Sequence, residues 1–326
     1  MSEPNFSKTV SRRNVLAGVG AAGFVGLAGC AGDGDEPAED GETIRFHAGG
    51  TGGTYYPLAG EMEGIIETET DFSVEVSATG ASVENVGSLG NGDADFALIQ
   101  NDIGYFAKNG TALEAFEGDP IENIRGVATL YPETIHIITD PDAEIESVSD
   151  LEGASVNTGD LGSGTQVNAL QILESVAGLT PDDFTEENTD FTQAADQLLD
   201  GDVDAAFVVG GWPVGAVEEL ATTTDIDILS MDDDARAAAS EDASWFADDT
   251  IPAGTYEGID EDVDTVSVQA MIASREEYDA DTVEAVTEAI FENTDSISIK
   301  SDFIDVESAQ DGMSIELHEG AARYFE

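Results

Sequence analysis

The chain has 326 residues and carries 70 Asp and Glu against 10 Lys and Arg, which gives a formal net charge of −60 at pH 7. Nucleic-acid binding is excluded because it needs clustered cations, and a calcium-binding protein is disfavoured because no Asp-x-Asp-x-Asp-Gly loop closed by Glu is present. The acids are spread along the chain, which favours a solvated surface adapted to a hypersaline, halophilic setting, where salt screens their repulsion.

The first 42 residues are typical of an export signal and a tether. Arg12 and Arg13 precede an apolar, Gly/Ala-rich stretch that ends at Cys30. This stretch resembles a twin-arginine (Tat) signal peptide over residues 1–29 that ends in a lipobox, which implies cleavage before Cys30 and lipidation of its sulfur. The alternative is a membrane anchor helix. Residues 30–42 form an acidic linker, and the lone cysteine excludes a disulfide within the mature fold.

The first supersecondary unit contains the sequence GGTGGTYYPLAG, residues 49–60. An apolar run over residues 44–48 predicts a strand before it, and Leu58, Met62, Ile65 and Ile66 predict a helix after it. A Walker A loop is excluded because no lysine lies between positions 8 and 108, and a dinucleotide fingerprint fails at its third glycine. The loop therefore predicts a ligand site rather than a nucleotide site.

Each candidate in the first half of the chain follows a strand. The first loop offers Gly53, Thr54, Tyr55 and Tyr56, with N–H groups from Gly53 and Thr54 and the tyrosine rings as a wall; the alternative is that the tyrosines pack in the core. A second strand, residues 74–76, leads to a helix start with Thr79, Gly80 and Ser82. A third strand, residues 96–99, ends in Gln100 and Asn101.

The second half repeats this organisation. A strand over residues 154–157 leads through a Gly-rich loop to a helix stopped by Gly178, and the helix start offers Ser163, Gly164 and Thr165. Ser or Thr at this place is alternatively just an N-cap. A buried strand, residues 205–209, leads to Gly211 and Trp212. Trp212 is predicted either to stack on the solute or to act as a packing plug.

The last segment contains another strand, Val266–Ile272, and a helix with Val283, Val286, Ile290 and Phe291 on one face. We place this segment back on the first lobe. Tyr256 precedes it and is expected near the hinge, where it can close over the site. The predicted fold is α/β and two-lobed, each lobe a mostly parallel sheet flanked by helices with the cleft between them. Lobe 1 is predicted over residues 43–133 plus 251–326, and lobe 2 over residues 134–250.

The sequence resembles the TAXI-type solute-binding proteins of tripartite ATP-independent periplasmic (TRAP) transporters, in a haloarchaeal-like lipoprotein form. The matching stretches are GGTGGTYYPLAG (49–60), ATGASVENV (78–86), GDADFALIQND (92–102), LYPETIHI (130–137), LGSGTQVNA (161–169), DAAFVVGGWP (204–213), IPAGTYEG (251–258) and HEGAARYF (318–325). The resemblance implies a type II periplasmic-binding-protein fold that closes on a small solute and delivers it to a membrane permease driven by an ion gradient. It favours an amino acid such as glutamate, or a small carboxylate.

One departure bears on the solute. Gly159-Asp160-Leu161 stands where the family more commonly has Gly-Pro-Pro-Gly, and an acid that faces the cleft disfavours an anion. None of the seven cations after the signal lies in a proposed site loop, so helix termini and hydroxyls are expected to hold a carboxylate. We expect Arg45, the cation nearest to a site loop, to pair with surface acids.

The predicted protein is a lipid-anchored, monomeric solute receptor that acts with a TRAP permease, without a cofactor or metal and without enzymatic activity. The histidines, His47, His136 and His318, are isolated, and no Gly-x-Ser-x-Gly elbow is present. A tethered sensor with the same fold is the alternative, and a secreted hydrolase is a weaker one.

Overall fold

The computed structural model describes residues 43–113 and 115–326. The predicted signal peptide, the lipidation site Cys30 and the linker over residues 30–42 lie outside the described residues. No helix in the described ranges is both long enough and apolar enough to cross a membrane.

The described strands form one mixed sheet. The strands are β1 (Thr43–His47), β2 (Ser73–Ser77), β3 (Phe96–Gln100), β4 (Ile124–Thr139), β5 (Ser155–Asn157), β6 (Thr185–Glu187), β7 (Ala205–Gly210), β8 (Asp227–Ile228), β9 (Ala247–Ile251) and β10 (Val263–Arg275). Their order is β2-β1-β3-β10-β4-β7-β5-β6, with β8 paired to β4 and β9 paired to β10.

The α-helices pack on both faces of this sheet. They are α1 (Tyr55–Glu69), α2 (Ser82–Asn91), α3 (Asn101–Asn109), α4 (Gly164–Ala177), α5 (Phe191–Asp200), α6 (Gly215–Thr223), α7 (Asp233–Asp242), α8 (Ala280–Phe291) and α9 (Glu319–Phe325). The strand–loop–helix units expected after residues 44–48 and 154–157 are present. The helix that follows the second loop ends at Gly178, whose φ of 70° is the left-handed conformation glycine adopts most easily.

Each end of the sheet is parallel, and the two ends are joined by long antiparallel strands. Strand β1 pairs in parallel with β2 and β3, and β5 pairs in parallel with β6 and β7. We call β1–β3 with α1–α3, α8 and α9 the first lobe, and β5–β7 with α4–α7 the second lobe. The chain limits predicted for the lobes remain a prediction.

Strands β4 and β10 belong to both lobes. In its first half β4 pairs with β10, and from Thr134 to Thr139 it pairs with β7 of the second lobe. The last residues of β10 pair with β3, whereas its first residues pair with β9. The strand placed on the first lobe from the sequence thus begins in the core of the second, where Val266 and Val268 are buried. The connection between lobes is therefore made twice, by continuous strands.

Buried apolar side chains lie on both faces of each lobe. In the first lobe, Leu58, Met62 and Ile66 of α1 pack with α8, whose Val283, Val286, Ile290 and Phe291 are all buried as predicted. On its opposite face α2 and α3 cover β3. In the second lobe α4 and α7 cover one face and α5 and α6 cover the other. Strands β3 and β7 are buried along their whole length, which fits their continuous apolar sequences.

Arg45 corrects one expectation from the sequence. Its partner is not a surface acid but Asp95, which is almost fully buried and which Arg45 contacts through Nη2 at 2.7 Å and Nε at 3.0 Å. Arg275 of β10 contacts the same carboxylate at 2.8 Å. Burial raises the pKa of Asp95, but the hydrogen bonds from both guanidinium groups outweigh it and hold the pKa below its ordinary value. This ion pair fixes β10 against the β1–β3 end of the sheet.

Candidate functional site

A cavity of about 340 Å³ lies at the carboxyl ends of the parallel strands, where ligands bind in open α/β sheets. Its size suits a small solute. The lining residues are Gly49, Gly50, Thr51, Gly52, Gly53, Thr54, Tyr55, Thr79, Gly80, Ala81, Ser82, Gln100, Glu133, Asp160, Ser163, Gly164, Thr165, Asp190, Phe191, Thr192, Gln193 and Val209. Both lobes contribute to it.

The starts of helices α1 to α5 converge on this cavity, because each helix follows a strand whose carboxyl end lies there. The N-cap residues of α1 and α2, Thr54 and Ala81, make no side-chain capping hydrogen bond to a described residue. Helices α4 and α5 are capped: Ser163 Oγ accepts a hydrogen bond from Gln166 N at 3.1 Å, and Asp190 Oδ1 accepts one from Gln193 N at 2.9 Å. The free N–H groups that attract an anion are therefore on the first lobe.

Most of the residues predicted from the sequence line the cavity. They are Gly53, Thr54, Tyr55, Thr79, Gly80, Ser82, Gln100, Ser163, Gly164 and Thr165. Tyr55 fits both interpretations of the tyrosines in the first loop, since it lines the cavity and is also buried in the core of the first lobe. Their role in binding remains a prediction.

Several of the expected polar groups already make hydrogen bonds within the protein. The Gly53 N–H donates to Gly50 O at 3.1 Å inside the loop, and the Thr54 hydroxyl donates to Gly211 O at 3.2 Å. Ser82 Oγ accepts from Gln100 N at 3.0 Å. By contrast, the Thr165 hydroxyl lines the cavity and has no hydrogen-bond partner among the described residues. Thr165 is therefore the predicted hydroxyl most available to a solute.

Two of the predicted residues, Asn101 and Tyr56, do not line the cavity. Asn101 donates through Nδ2 to Gly312 O at 2.7 Å and accepts from Ser314 N at 2.8 Å. Tyr56, on the first turn of α1, is 36% exposed and points away from the core. Neither was distinguishable in the sequence from its neighbour that does line the cavity.

Gly211, Trp212 and Tyr256 also lie outside the cavity lining. Lys300 Nζ lies 3.8 Å from the centre of the Trp212 ring, so the ring stacks on a cation of this chain. Gly211 packs against Tyr131 and Lys300. Tyr256 is buried in the second lobe, where its hydroxyl accepts from Val214 N at 2.9 Å and lies 2.9 Å from a ring nitrogen of His136. The expectation that Tyr256 closes over the site from a hinge is not met in this structure.

Glu133 of β4 contributes a buried carboxyl group to the cavity. The Tyr55 hydroxyl donates to its Oε2 at 2.7 Å, and the Tyr131 hydroxyl approaches its Oε1 at 3.5 Å. Burial raises the pKa of Glu133 to about 8, and the hydrogen bond from Tyr55 only partly offsets this. At pH 7 the group is therefore mainly neutral.

Gln100 lies where the two lobes approach each other. It is 3% exposed, and its Oε1 has no hydrogen-bond partner among the described residues. A Cβ atom at Gly164 would collide with this oxygen, so the absence of a side chain at the start of α4 is what lets Gln100 fit.

Asp160 faces the cavity, which decides a question the sequence left open. It is half-buried, and its carboxylate has no hydrogen-bond or ion-pair partner among the described residues. Burial raises the pKa of Asp160, and the charges of Asp190 and Glu84 raise it further. The described part of the lining contains no Lys, Arg or His.

The start of α5 is the part of the site that sequence reasoning missed. Asp190, Phe191, Thr192 and Gln193 all line the cavity. The signal was available: an Asp followed three residues later by Gln is typical of a helix start, and Gln193 Nε2 does donate back to Asp190 Oδ2 at 2.5 Å. No sequence pattern indicated Glu133 as a site residue, because a carboxyl group within a strand is ordinarily expected at the surface.

The described residues contain no cluster of His, Cys, Asp and Glu able to hold a metal ion. His136 and His318 make separate structural contacts. His136 is buried, which lowers its pKa to about 4, and its Nδ1 lies 3.0 Å from Thr134 O. His318 caps α9 by accepting from Gly320 N at 3.1 Å.

The sequence profile of the NMT1-like family matches residues 46–326. Similar solved structures include a protein from Bordetella bronchiseptica RB50, with a TM-score of 0.53 and 15% identity over 88% of this chain and 80% of that chain. Another, described as a periplasmic transporter, has a TM-score of 0.53 and 12% identity over 82% and 89%. PhnD1 from Prochlorococcus marinus MIT 9301, in complex with methylphosphonate, has a TM-score of 0.51 and 10% identity over 77% and 84%. The predicted fold class, that of two-lobed periplasmic binding proteins, is thereby confirmed.

Proposed function

The chain belongs to the NMT1-like family, and on this basis we propose that it is an extracytoplasmic receptor that captures a small polar solute between its two lobes. One observation carries the proposal: a cavity of about 340 Å³ at which helix starts from both lobes converge. The resemblance noted in the sequence supports an amino acid or a small carboxylate as the solute class.

Closure around the solute follows from where its contacts lie. A solute that touches both the first loop and the start of α4 has more contacts when the lobes are together than apart. It therefore favours the closed state by its differential affinity for the two states. The continuous strands β4 and β10 are the segments on which such a motion would turn.

The proposed transport partner of the receptor is a TRAP permease. The TAXI-type resemblance supports delivery to a TRAP permease driven by an ion gradient, with the receptor held at the membrane through a lipid on Cys30. Uptake of the bound solute by cells should then require this protein and stop when the ion gradient is collapsed. Uptake that continues without the gradient and depends on ATP would assign the receptor to a different transporter class.

The first test of the receptor is a thermal-shift screen in molar salt against amino acids, carboxylates, amines and sugars. A solute at about a hundred times its dissociation constant stabilises the folded state by about 2.7 kcal/mol, which raises the melting temperature by several degrees. A solute retained from expression should be sought by mass spectrometry after denaturation. A folded protein that retains nothing and responds to no class of solute would contradict the proposal.

Variants then place the solute in the cavity. Thr165→Val keeps the shape of the side chain and removes its free hydroxyl, and it should weaken binding roughly fivefold, as expected for one hydrogen bond of about 1 kcal/mol. Thr222→Val, on the exposed surface of α6, is the matched control and should bind unchanged. Tyr55→Phe is preferable to Tyr55→Ala, because the Tyr55 ring is part of the core of the first lobe.

A further inference from the structure

The cavity has an unusual balance of charge. The ionisable residues among its described lining with acidic or basic side chains are Glu133, Asp160 and Asp190, without any Lys, Arg or His. Glu84 adds a further carboxylate nearby, since its Oε2 accepts from Gly80 N at 2.7 Å. The carboxylates therefore repel an anionic solute that enters the cavity, and no cationic side chain of the described lining offsets this repulsion.

These acids differ in how far they are already satisfied. Asp190 caps α5 through Oδ1, and Glu133 is held by Tyr55 and is mainly neutral at pH 7. Asp160 has no such partner among the residues that the structure describes, although it is half-buried. Burial and the neighbouring charges of Asp190 and Glu84 both raise its pKa, so a cation beside it relieves a repulsion that already exists.

A second, uncharged group points the same way. Gln100 lines the cavity and is only 3% exposed. Its Oε1 has no hydrogen-bond partner among the described residues. A buried acceptor left unsatisfied costs free energy, so a solute that donates a hydrogen bond to it gains affinity. The acidity of the whole chain does not account for this amide, which carries no charge.

We propose that Asp160, together with Asp190, forms a subsite for a cationic nitrogen group of the solute, an ammonium or a guanidinium, with Gln100 Oε1 as a further acceptor in the same cavity. The inference rests on the proposed receptor function and narrows its solute class to small amines, including those that also carry one carboxylate. The uncapped starts of α1 and α2 on the first lobe provide the N–H groups for an oxygen at the other end of the solute. Dicarboxylates are disfavoured.

Titration calorimetry in molar salt on the full protein, freed of any retained solute, tests the charge preference with pairs of equal length. Putrescine is compared with succinate, and L-ornithine with L-glutamate. In each pair the amine-rich member should bind roughly tenfold more tightly, because its second nitrogen replaces a carboxylate beside Asp160. A dicarboxylate or L-glutamate that binds more tightly than its partner overturns the subsite.

Substitutions identify the residue responsible. Asp160→Asn keeps the size of the side chain and should weaken the amine roughly tenfold, whereas Asp182→Asn, an exposed acid of the same lobe, should leave it unchanged. Asp160→Lys should reverse the preference toward succinate. Circular dichroism on each variant confirms that the protein is folded. Amine binding that is the same in Asp160→Asn as in the parent overturns the subsite.

The outcomes separate this inference from the receptor proposal. If succinate, L-glutamate or another anionic solute binds best and Thr165→Val weakens its binding, the receptor stands and the cationic subsite is wrong. If no probe binds and no solute is released on denaturation, the receptor proposal fails and the subsite fails with it.

Discussion

Glu133 is a buried carboxyl whose ionisation is opposed by the protein around it. Burial raises its pKa to about 8 from an ordinary value of 4.5, and the nearby charge of Asp102 adds to the effect of burial. The native state therefore holds the proton more tightly than the unfolded chain does. Its contribution to stability is fully present below pH 4.5, decreases as the pH rises, and is lost above about pH 8.

Replacing Glu133 with glutamine should remove this dependence. The Gln side chain keeps an oxygen to accept from Tyr55 and cannot ionise, so between pH 7 and pH 9 the parent should lose on the order of 1 kcal/mol of unfolding free energy relative to Glu133→Gln. Urea denaturation in molar salt at both pH values measures the difference. Glu117→Gln, an exposed control, should behave as the parent. Equal losses in parent and Glu133→Gln would show that Glu133 ionises without cost.

Some residues of the candidate site were predictable from the sequence and others were not. Thr165 and Ser163 were recognisable because a Gly-rich loop before a helix indicates a helix start, and the structure places both at the cavity. Trp212 was not, because the partner of its ring is Lys300, a residue distant in sequence. The local sequence pattern predicts which secondary-structure element carries a residue. The contacts of its side chain depend on segments distant in sequence that only the fold brings together.

At the scale of elements, α3 and α4 join the two lobes through a buried polar pair. Asn168 Nδ2 donates to Asp102 Oδ2 at 2.8 Å, while Oδ1 of Asp102 and Oδ1 of Asn168 both lack a partner among the described residues. Burial raises the pKa of Asp102 to about 6, and the hydrogen bond from Asn168 only partly opposes this. A protonated Asp102 is able to donate to Asn168 and to complete a two-bond pair.

Asp102→Asn is expected to make this contact independent of pH. An amide in place of the carboxyl can both accept from and donate to Asn168, and it carries no charge to bury. Stability from the protonated carboxyl is present below pH 3.8 and lost as the pH rises to about 6, so the variant should gain on the order of 2 kcal/mol over the parent between pH 4 and pH 7. Urea denaturation of both proteins and of the exposed control Asp119→Asn provides the comparison. A constant difference across this range would contradict the assignment.

The elements themselves were largely predictable where they repeat. The period of apolar residues indicated α1, α4 and α8, and continuous apolar runs indicated β3 and β7. Strand β4 was not predicted as a strand: its 16 residues include Pro132 and Glu133, which interrupt the apolar pattern at the point where the strand passes from one lobe to the other. The sequence pattern fails there because the strand serves two different cores.

The charge of the whole molecule sets the conditions in which it folds. A formal net charge of −60 on a 34.0 kDa chain produces self-repulsion that salt screens within about 3 Å at 1 M. The melting temperature should therefore rise by several degrees or more between about 0.1 M and 2 M KCl, most steeply at the low end. Differential scanning calorimetry across this series provides the measurement. A melting temperature that is flat or falls with salt would show that the acids are not the dominant long-range interaction.

The place of β10 in the sheet has a consequence for biosynthesis. The order β3-β10-β4 puts a strand from residues 263–275 between two strands made much earlier on the ribosome. Until that segment emerges, β3 and β4 each present an unpaired edge, and such edges invite association with other chains. The nascent first lobe therefore stays incomplete until the second lobe has been synthesised, and its unpaired strand edges are open to association throughout that interval.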